Sequence, residues 1–275
     1  MVKTLRTLLI ASIIGIGGDT DHIAAANSAD PVVVAHRGAA GYAPENTMAA
    51  FELAYRMQSS MIELDVQRSL DGELVVIHDL TLDRTTSGTG EVRMHTLEEL
   101  RSLDAGSWFG GEYSSQQIPT FEEVLAHYRG KNIGFLIELK APEMYPGIER
   151  QVADSLIKYG YDKMGPGQVI VQSFNHESMA TFHDMLPTVP TSVLIEDPAD
   201  LDNDKLDEYR AYASYVNPHI YAVEHSLVRQ IHARGMKIYA WTLRSREEAD
   251  YLLDLGVDGI ITDYPDYVPY KETKK

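Results

Sequence analysis

The stretch Met61-Ile62-Glu63-Leu64-Asp65-Val66 decides the fold class, because its aliphatic and β-branched residues predict a buried strand. On both sides of this stretch, short runs of aliphatic and β-branched residues alternate with helical patterns, such as the one at residues 47–57. The predicted strands are residues 32–34, 61–66, 74–77, 133–138, 169–173, 191–195, 237–241 and 259–262. Strands that alternate with helices at this spacing predict an α/β fold with a parallel sheet and helical crossovers.

Eight strands within residues 31–267 favour a (β/α)8 TIM barrel over an open doubly wound sheet, which more often shows a glycine-rich first turn. Residues 67–73, with a turn at Asp71-Gly72, are too few for a crossover helix between the second and third predicted strands. That unit either lacks its helix or forms a hairpin, so we expect a somewhat distorted barrel. Residues 31–267 form one predicted domain, and a frayed tail is predicted at residues 268–275.

The composition excludes several kinds of chemistry. With 24 Lys+Arg against 41 Asp+Glu, the net charge is −17, which argues against nucleic acid as a partner because a phosphate backbone needs clustered cations. The absence of cysteine from the sequence excludes disulfides, thiolate metal sites, thiol nucleophiles and iron–sulfur clusters. Metal ligands can therefore come only from His, Asp and Glu.

The N-terminus has the layout of a secretory signal peptide at residues 1–26. Lys3 and Arg6 precede an apolar stretch at residues 8–16, and Ala24-Ala25-Ala26 offers a cleavage site, with Ala29 as a weaker alternative. As a helix the apolar stretch would rise only ~14 Å, against ~30 Å for a bilayer core. The sequence therefore predicts a secreted protein, extracellular or periplasmic, with no stable membrane insertion.

Acidic side chains at the ends of the predicted strands indicate a metal site, because reactive groups of a parallel barrel lie at these ends. Glu63 and Asp65 are two residues apart and face the same side of a strand, and Glu138 and Lys140 repeat that spacing. The alternative is that these are ordinary strand acids facing solvent, but apolar neighbours argue against it. Buried acids need a cation, and three carboxylates suit Ca²⁺ or Mg²⁺ better than Zn²⁺.

Two histidines at strand ends indicate acid/base chemistry. His36 and His78 each follow a valine-rich run, and imidazole is the group best suited to move protons near neutral pH. A structural, hydrogen-bonded role is the alternative for either one alone. Arg37 and Lys140 together match a phosphate. The other eight histidines are predicted to lie on the surface.

Several stretches carry a family resemblance: His36-Arg37-Gly38-Ala39-Ala40-Gly41-Tyr42-Ala43-Pro44-Glu45-Asn46-Thr47, Ile62-Glu63-Leu64-Asp65-Val66-Gln67, Val76-Ile77-His78-Asp79, Ile137-Glu138-Leu139-Lys140 and Gly259-Ile260-Ile261-Thr262-Asp263-Tyr264-Pro265-Asp266. In this order and spacing they closely resemble the glycerophosphodiester phosphodiesterase family, of the secreted bacterial type. The resemblance extends over residues 32–267.

The resemblance implies a phosphodiesterase-type (β/α)8 barrel that hydrolyses glycerophosphodiesters, as small-molecule substrates, to an alcohol and sn-glycerol 3-phosphate. It implies one divalent cation as cofactor, with Ca²⁺ as the first choice and Mg²⁺ as the alternative. By position, the implied roles are acid and base for His36 and His78, metal ligands for Glu63, Asp65 and Glu138, and phosphate clamps for Arg37 and Lys140. Asn46 is expected to cap the helix after it, and Trp241 either lines the pocket or packs in the core.

Three alternatives remain open from the sequence. A lysophospholipase D or a teichoic-acid-type poly(glycerol phosphate) hydrolase would use the same barrel. A secreted binding protein without turnover is the alternative from another class, although all seven implied site residues are present. The nucleophile is either water or the glycerol hydroxyl of the substrate, through a cyclic phosphate. No obligate protein partner is inferred.

Overall fold

The computed structural model describes residues 31–165 and 167–269. The predicted signal peptide and residues 270–275 of the predicted tail lie outside this range. The strands are β1 Val32–Ala35, β2 Met61–Arg68, β3 Leu74–Val76, β4 Gly134–Leu139, β5 Val169–Ser173, β6 Thr191–Ile195, β7 Tyr215–Pro218, β8 Lys237–Leu243 and β9 Gly259–Thr262. The α-helices are α1 Met48–Arg56, α2 Leu97–Arg101, α3 Phe121–Tyr128, α4 Ile148–Tyr159, α5 His176–Met185, α6 Asn203–Tyr209, α7 His225–Ala233 and α8 Arg246–Leu255.

Eight parallel strands close into a barrel. Neighbours run in the order β1, β2, β4, β5, β6, β7, β8, β9, and β9 pairs with β1 again. Helices lie between consecutive strands of this ring, so the predicted (β/α)8 barrel is confirmed. The carboxyl ends of all eight strands therefore open on one face.

The hairpin alternative for the second unit is the correct one. β3 runs antiparallel to β2 outside the ring, with Val76 opposite Val66. The third predicted strand is thus not a barrel strand, and β7 takes the eighth place instead. The sequence analysis missed β7 because only Tyr215 and Val216 favour a strand, and Pro218 argues against one. Pro218 is tolerated there as the last residue of the strand.

A long excursion, residues 77–120, follows β3 and returns to the barrel at α3. It contains α2, and it has its own small apolar core, which includes Leu82, Val92 and Leu100, all fully buried. Val75 of β3 belongs to the same core, so the excursion packs against this strand of the hairpin.

Specific contacts define the ends of several elements. Capping boxes begin α2, α3 and α8, with Thr96, Thr120 and Ser245 as N-caps. Val268 is only 3% exposed and packs in the core, so the tail predicted from residue 268 does not begin before Pro269. Among the helices of the described ranges, none has the length and apolar character to cross a bilayer.

Candidate active site

The structure brings all seven predicted site residues together at the carboxyl end of the barrel. Six of them line one cavity of about 290 Å³, and they are His36, Arg37, Glu63, His78, Glu138 and Lys140. The seventh, Asp65, is completely buried beside Glu63 and Glu138. Below the cavity the barrel is filled by an apolar layer that includes Val34, Leu136 and Ile170. Packed side chains therefore close the cavity on the barrel side.

Glu63, Asp65 and Glu138 form a buried acidic cluster. Asp65 lies opposite Glu138 in the pairing of β2 with β4, and one carboxylate oxygen from each of the three residues lies within 4.8 Å of the others. Burial, and then the neighbouring carboxylates, raise the pKa of Glu63 well above its ordinary value. Burial also raises the pKa of Glu138 to about 7. Such a cluster needs positive charge to remain ionised.

The acidic cluster fits a divalent cation. Asp65 Oδ1 is buried and accepts no hydrogen bond from any residue in the described part of the chain. All three side chains offer hard oxygen ligands, which suit Ca²⁺ and Mg²⁺. These three residues could therefore hold the predicted ion.

Two basic side chains adjoin the acidic cluster. Lys140 Nζ donates to Glu138 Oε1 at 2.6 Å and lies 3.8 Å from Asp65 Oδ1, while Arg37 Nε lies 3.4 Å from Asp65 Oδ2. Burial alone would raise the pKa of Asp65, but the charges of Lys140 and Arg37 hold it well below its ordinary value. Positive and negative groups therefore share one side of the cavity.

The turn after β1 aims Arg37 at the acidic cluster. Arg37 has a positive φ of 54°, and its N–H donates to Glu63 Oε2 at 2.7 Å. Gly38 follows with a φ of 84°, and a Cβ there would lie 2.7 Å from the backbone carbon of Ala50. Only glycine fits this close turn. The Arg37 guanidinium then donates from Nη1 to Glu45 Oε1 at 2.8 Å.

Each site histidine is held by an aspartate. Nδ1 of His36 lies 2.5 Å from Asp263 Oδ1, and Nδ1 of His78 lies 2.7 Å from Asp79 Oδ1. Since the neighbouring carboxylates are ionised, each Nδ1–H donates and each Nε2 is left for chemistry. Burial lowers the pKa of both imidazoles, and the Arg37 charge acts in the same direction. Both rings are therefore neutral at neutral pH.

Asn46 does not cap α1, contrary to the sequence-based expectation. The N-cap is Thr47, whose extended backbone lets its hydroxyl accept from Ala50 N–H. Asn46 has a φ of 56°, is 4% exposed, and donates from Nδ2 to Asp65 Oδ2 at 2.7 Å. It therefore orients a carboxylate of the acidic cluster.

Aromatic residues also line the cavity. Trp241 lines the cavity, which is one of the two roles predicted for it. Its ring packs edge to face against the rings of Phe174 and His219, with centroid distances of 5.6 Å and 5.0 Å. The prediction that His219 lies on the surface is wrong, because it directly follows β7, the strand that the sequence analysis missed.

Other site residues escaped the sequence analysis as well. Asp263 follows β9 directly, so the strand-end rule that found His36 would also have found it. Asp79 stands beside His78 at the end of a predicted strand, but its role as the partner of His78 was not predicted. Glu45 and Arg84 lie in loops that no strand-end rule covers. Their roles depend on how the excursion folds over the barrel.

A second, open groove of about 750 Å³ adjoins the cavity on the side of β3, β4 and β5. His78, Glu138 and Lys140 border both spaces, whereas His36 borders only the inner cavity. His78 thus lies where the two spaces meet, and a substrate with two arms could place one arm in each space.

Three buried carboxylates that could hold a cation, two adjacent cationic side chains and two neutral imidazoles suit phosphoryl transfer on a TIM barrel. Comparison with known proteins defines this class more closely. Residues 36–267 match the Glycerophosphoryl diester phosphodiesterase family, and the chain belongs to that family.

Individual relatives agree with this assignment. A glycerophosphodiester phosphodiesterase of Bacillus subtilis is 41% identical over 247 residues, covering 86% of this chain and 84% of the relative. A second B. subtilis protein, YhdW, is 44% identical over 237 residues, covering 86% of this chain and 96% of that protein. The solved structure of an Oleispira antarctica phosphodiesterase, in complex with the product sn-glycerol-3-phosphate, is 31% identical with a TM-score of 0.76, covering 86% of this chain and 95% of that one.

Proposed function

We propose that this protein hydrolyses glycerophosphodiesters to an alcohol and sn-glycerol 3-phosphate with the help of one divalent cation. The observation that carries the proposal is the meeting of seven side chains of complementary chemistry in and directly beside one cavity that an open groove adjoins. The product bound in the Oleispira antarctica relative supports glycerol phosphate as one half of the substrate.

The acidic cluster is the proposed metal site. A bound cation, Ca²⁺ in the first instance and Mg²⁺ as the alternative, would be held by Glu63, Asp65 and Glu138, and it would supply positive charge that stabilises the phosphoryl oxygens. Arg37 and Lys140 bind the same oxygens from the protein side as phosphate clamps. Asn46 keeps Asp65 oriented through its hydrogen bond.

The two imidazoles divide the proton transfers. His36 borders only the inner cavity, where the glycerol arm is placed, and its Nε2 takes the proton from the nucleophile. His78 also borders the groove, and its Nε2 gives a proton to the alcohol that leaves there. The inner cavity is large enough for a glycerol unit, and the open groove accepts alcohols of different size.

The test is an assay of the products that the purified protein forms from four phosphodiesters, with sn-glycerol 3-phosphate as the expected one. Glycerophosphocholine, glycerophosphoethanolamine, lysophosphatidylcholine and poly(glycerol phosphate) are compared, before and after chelation and with Ca²⁺ or Mg²⁺ restored. Release from the first two substrates supports the proposal. Choline release from lysophosphatidylcholine alone, with lysophosphatidate as the other product, or sn-glycerol 3-phosphate release from the polymer alone, would replace it with one of the two related activities. Binding without turnover in every metal would indicate the binding-protein alternative.

The nucleophile can be identified in the same reaction by phosphorus NMR. A cyclic glycerol phosphate that appears before sn-glycerol 3-phosphate indicates attack by the glycerol hydroxyl of the substrate. Direct formation of the linear product, with no cyclic phosphate at any time, indicates attack by water.

We also propose that the protein is exported, with residues 1–26 removed. The basic start, the apolar stretch and the alanine run carry this proposal. Cell fractionation and N-terminal sequencing test it: the expected product begins at Asn27. A cell-associated product that begins at Met1 would contradict export.

A further inference from the structure

Arg84 joins two carboxylates, Asp79 in the excursion and Glu45 in the loop between β1 and α1. Its Nε donates to Asp79 Oδ2 at 2.7 Å and its Nη2 to Asp79 Oδ1 at 2.9 Å. Its Nη1 and Nη2 donate to the two oxygens of Glu45, both at 2.7 Å. The planar guanidinium thus forms a fork with each carboxylate at once, which a lysine cannot do.

Each of these carboxylates holds a different site residue. Asp79 Oδ1 is the partner of His78 Nδ1 at 2.7 Å, and Glu45 Oε1 accepts from Arg37 Nη1 at 2.8 Å. Arg84 is therefore one contact away from both the proposed acid and one proposed phosphate clamp. It is 44% exposed and does not line the inner cavity, so it acts on the reaction only through these partners.

The negative charges of Asp79 and Glu45 explain why a cation is needed between them. Asp79 and Glu45 are 26% and 12% exposed, and together they would repel each other if no cation lay between them. Without Arg84 the two carboxylates would separate, and their imidazole and guanidinium partners would move with them.

We propose that Arg84 is a positioning residue that fixes His78 relative to Arg37, through Asp79 on one arm and Glu45 on the other. The proposal rests on the proposed function, since it concerns how that reaction is aligned. It also gives the excursion a role, because Arg84 reaches the barrel only through the fold of residues 77–120.

The first test compares Arg84→Ala with Arg93→Ala. Arg93 is a matched control, because it lies in the same excursion, is 43% exposed and pairs with one carboxylate, Glu91, at 2.6 Å. We expect Arg84→Ala to lower kcat about tenfold and to raise KM, as loss of an orienting partner does. Arg93→Ala should change neither. Equal effects of the two substitutions would overturn the proposal.

The two arms are separated by double substitutions. In an Asp79→Asn background, Arg84→Ala should lower kcat no further, because the arm to His78 is already lost. In a Glu45→Gln background, it should raise KM no further, because the arm to Arg37 is already lost. If the effects multiply in both backgrounds, Arg84 acts through general stability and the proposal is wrong.

Arg84→Lys keeps the charge and removes the double fork. We expect it to remain closer to Arg84→Ala than to the wild type in kcat, and full recovery would show that charge alone matters. Thermal unfolding checks that all variants are folded.

A readout independent of turnover distinguishes this proposal from the proposed function. The His78 Nδ1–H proton, observed by nitrogen-correlated NMR, should lose its hydrogen-bonded shift in Arg84→Ala and keep it in Arg93→Ala. This result supports positioning even if no glycerophosphodiester is hydrolysed. An unchanged His78 signal in Arg84→Ala overturns the positioning role, whatever the substrate is.

Discussion

Nδ1 of His36 lies 2.5 Å from Oδ1 of Asp263, and the other oxygen of that carboxylate accepts from Arg244 Nε at 2.6 Å. His78 and Asp79 repeat this relationship, with Arg84 in the place of Arg244. Each imidazole is thus oriented by an aspartate that an arginine holds. This arrangement keeps both rings in one tautomer, with Nε2 directed to chemistry.

The first prediction concerns the link between Asp263 and His36. Asp263→Asn should lower kcat by about tenfold to 100-fold, because the amide can no longer fix the Nδ1–H tautomer of His36. KM should change little, since Asp263 binds no part of the substrate in the proposed function. Steady-state kinetics on glycerophosphocholine measure both constants. A normal kcat would show that the Asp263 carboxylate is dispensable for the reaction.

The second prediction concerns acid stability. Burial opposes ionisation of Asp263, but its bond from His36 and the charge of Arg244 bring its pKa down from 3.8 to about 2. Because the folded pKa is below the unfolded one, the carboxylate stabilises the fold above about pH 4, and this stabilisation is lost as the pH falls through 2. The difference in unfolding free energy between wild type and Asp263→Asn should therefore shrink at acid pH. Urea unfolding across this range measures it, and a constant difference would contradict the assignment.

The third prediction separates acid from base. His36→Ala and His78→Ala should each lower kcat about 100-fold or more on glycerophosphocholine. On a glycerol phosphodiester with a p-nitrophenyl leaving group, which departs without a proton, His78→Ala should recover most of its activity and His36→Ala should not. Recovery of His36→Ala instead would invert the two roles, and with them the placement of the two arms.

The fourth prediction separates clamp from ligand on β4. Lys140→Met should weaken sn-glycerol 3-phosphate binding and leave Ca²⁺ affinity equal or higher, because a charge that repels the cation has gone. Glu138→Gln should weaken Ca²⁺ binding first. Lys131→Met, which removes an ammonium paired with Glu52 away from the site, serves as the control and should change neither. Calorimetric titration decides: if Lys140→Met loses Ca²⁺ and Glu138→Gln does not, the roles are inverted.

The sequence predicted the barrel and the meeting of the seven side chains at its carboxyl end because both follow from local patterns. Glu63 and Asp65 could be placed on one face from the two-residue period of a strand alone. Their partner Glu138 followed from the same rule on another strand, since the carboxyl ends of parallel strands meet.

The parts that sequence reasoning missed depend on contacts between distant segments. Asn46 resembles a helix cap locally, yet its amide binds Asp65, which no local rule reveals. β7 has only two residues with strand preference, and its pairing with β6 and β8 supplies the rest. Arg84 meets Glu45 across 39 positions of sequence, through the fold of the excursion.

The central claim, a cation-dependent glycerophosphodiesterase, is tested most directly by one measurement. Phosphorus NMR follows glycerophosphocholine with purified protein that has been stripped by a chelator, and then again after Ca²⁺ or Mg²⁺ is added. We predict no turnover in the stripped protein and formation of sn-glycerol 3-phosphate after a hard cation is restored, because Glu63, Asp65 and Glu138 offer only oxygen ligands. Full turnover in excess chelator, with no metal found by elemental analysis, would contradict the account.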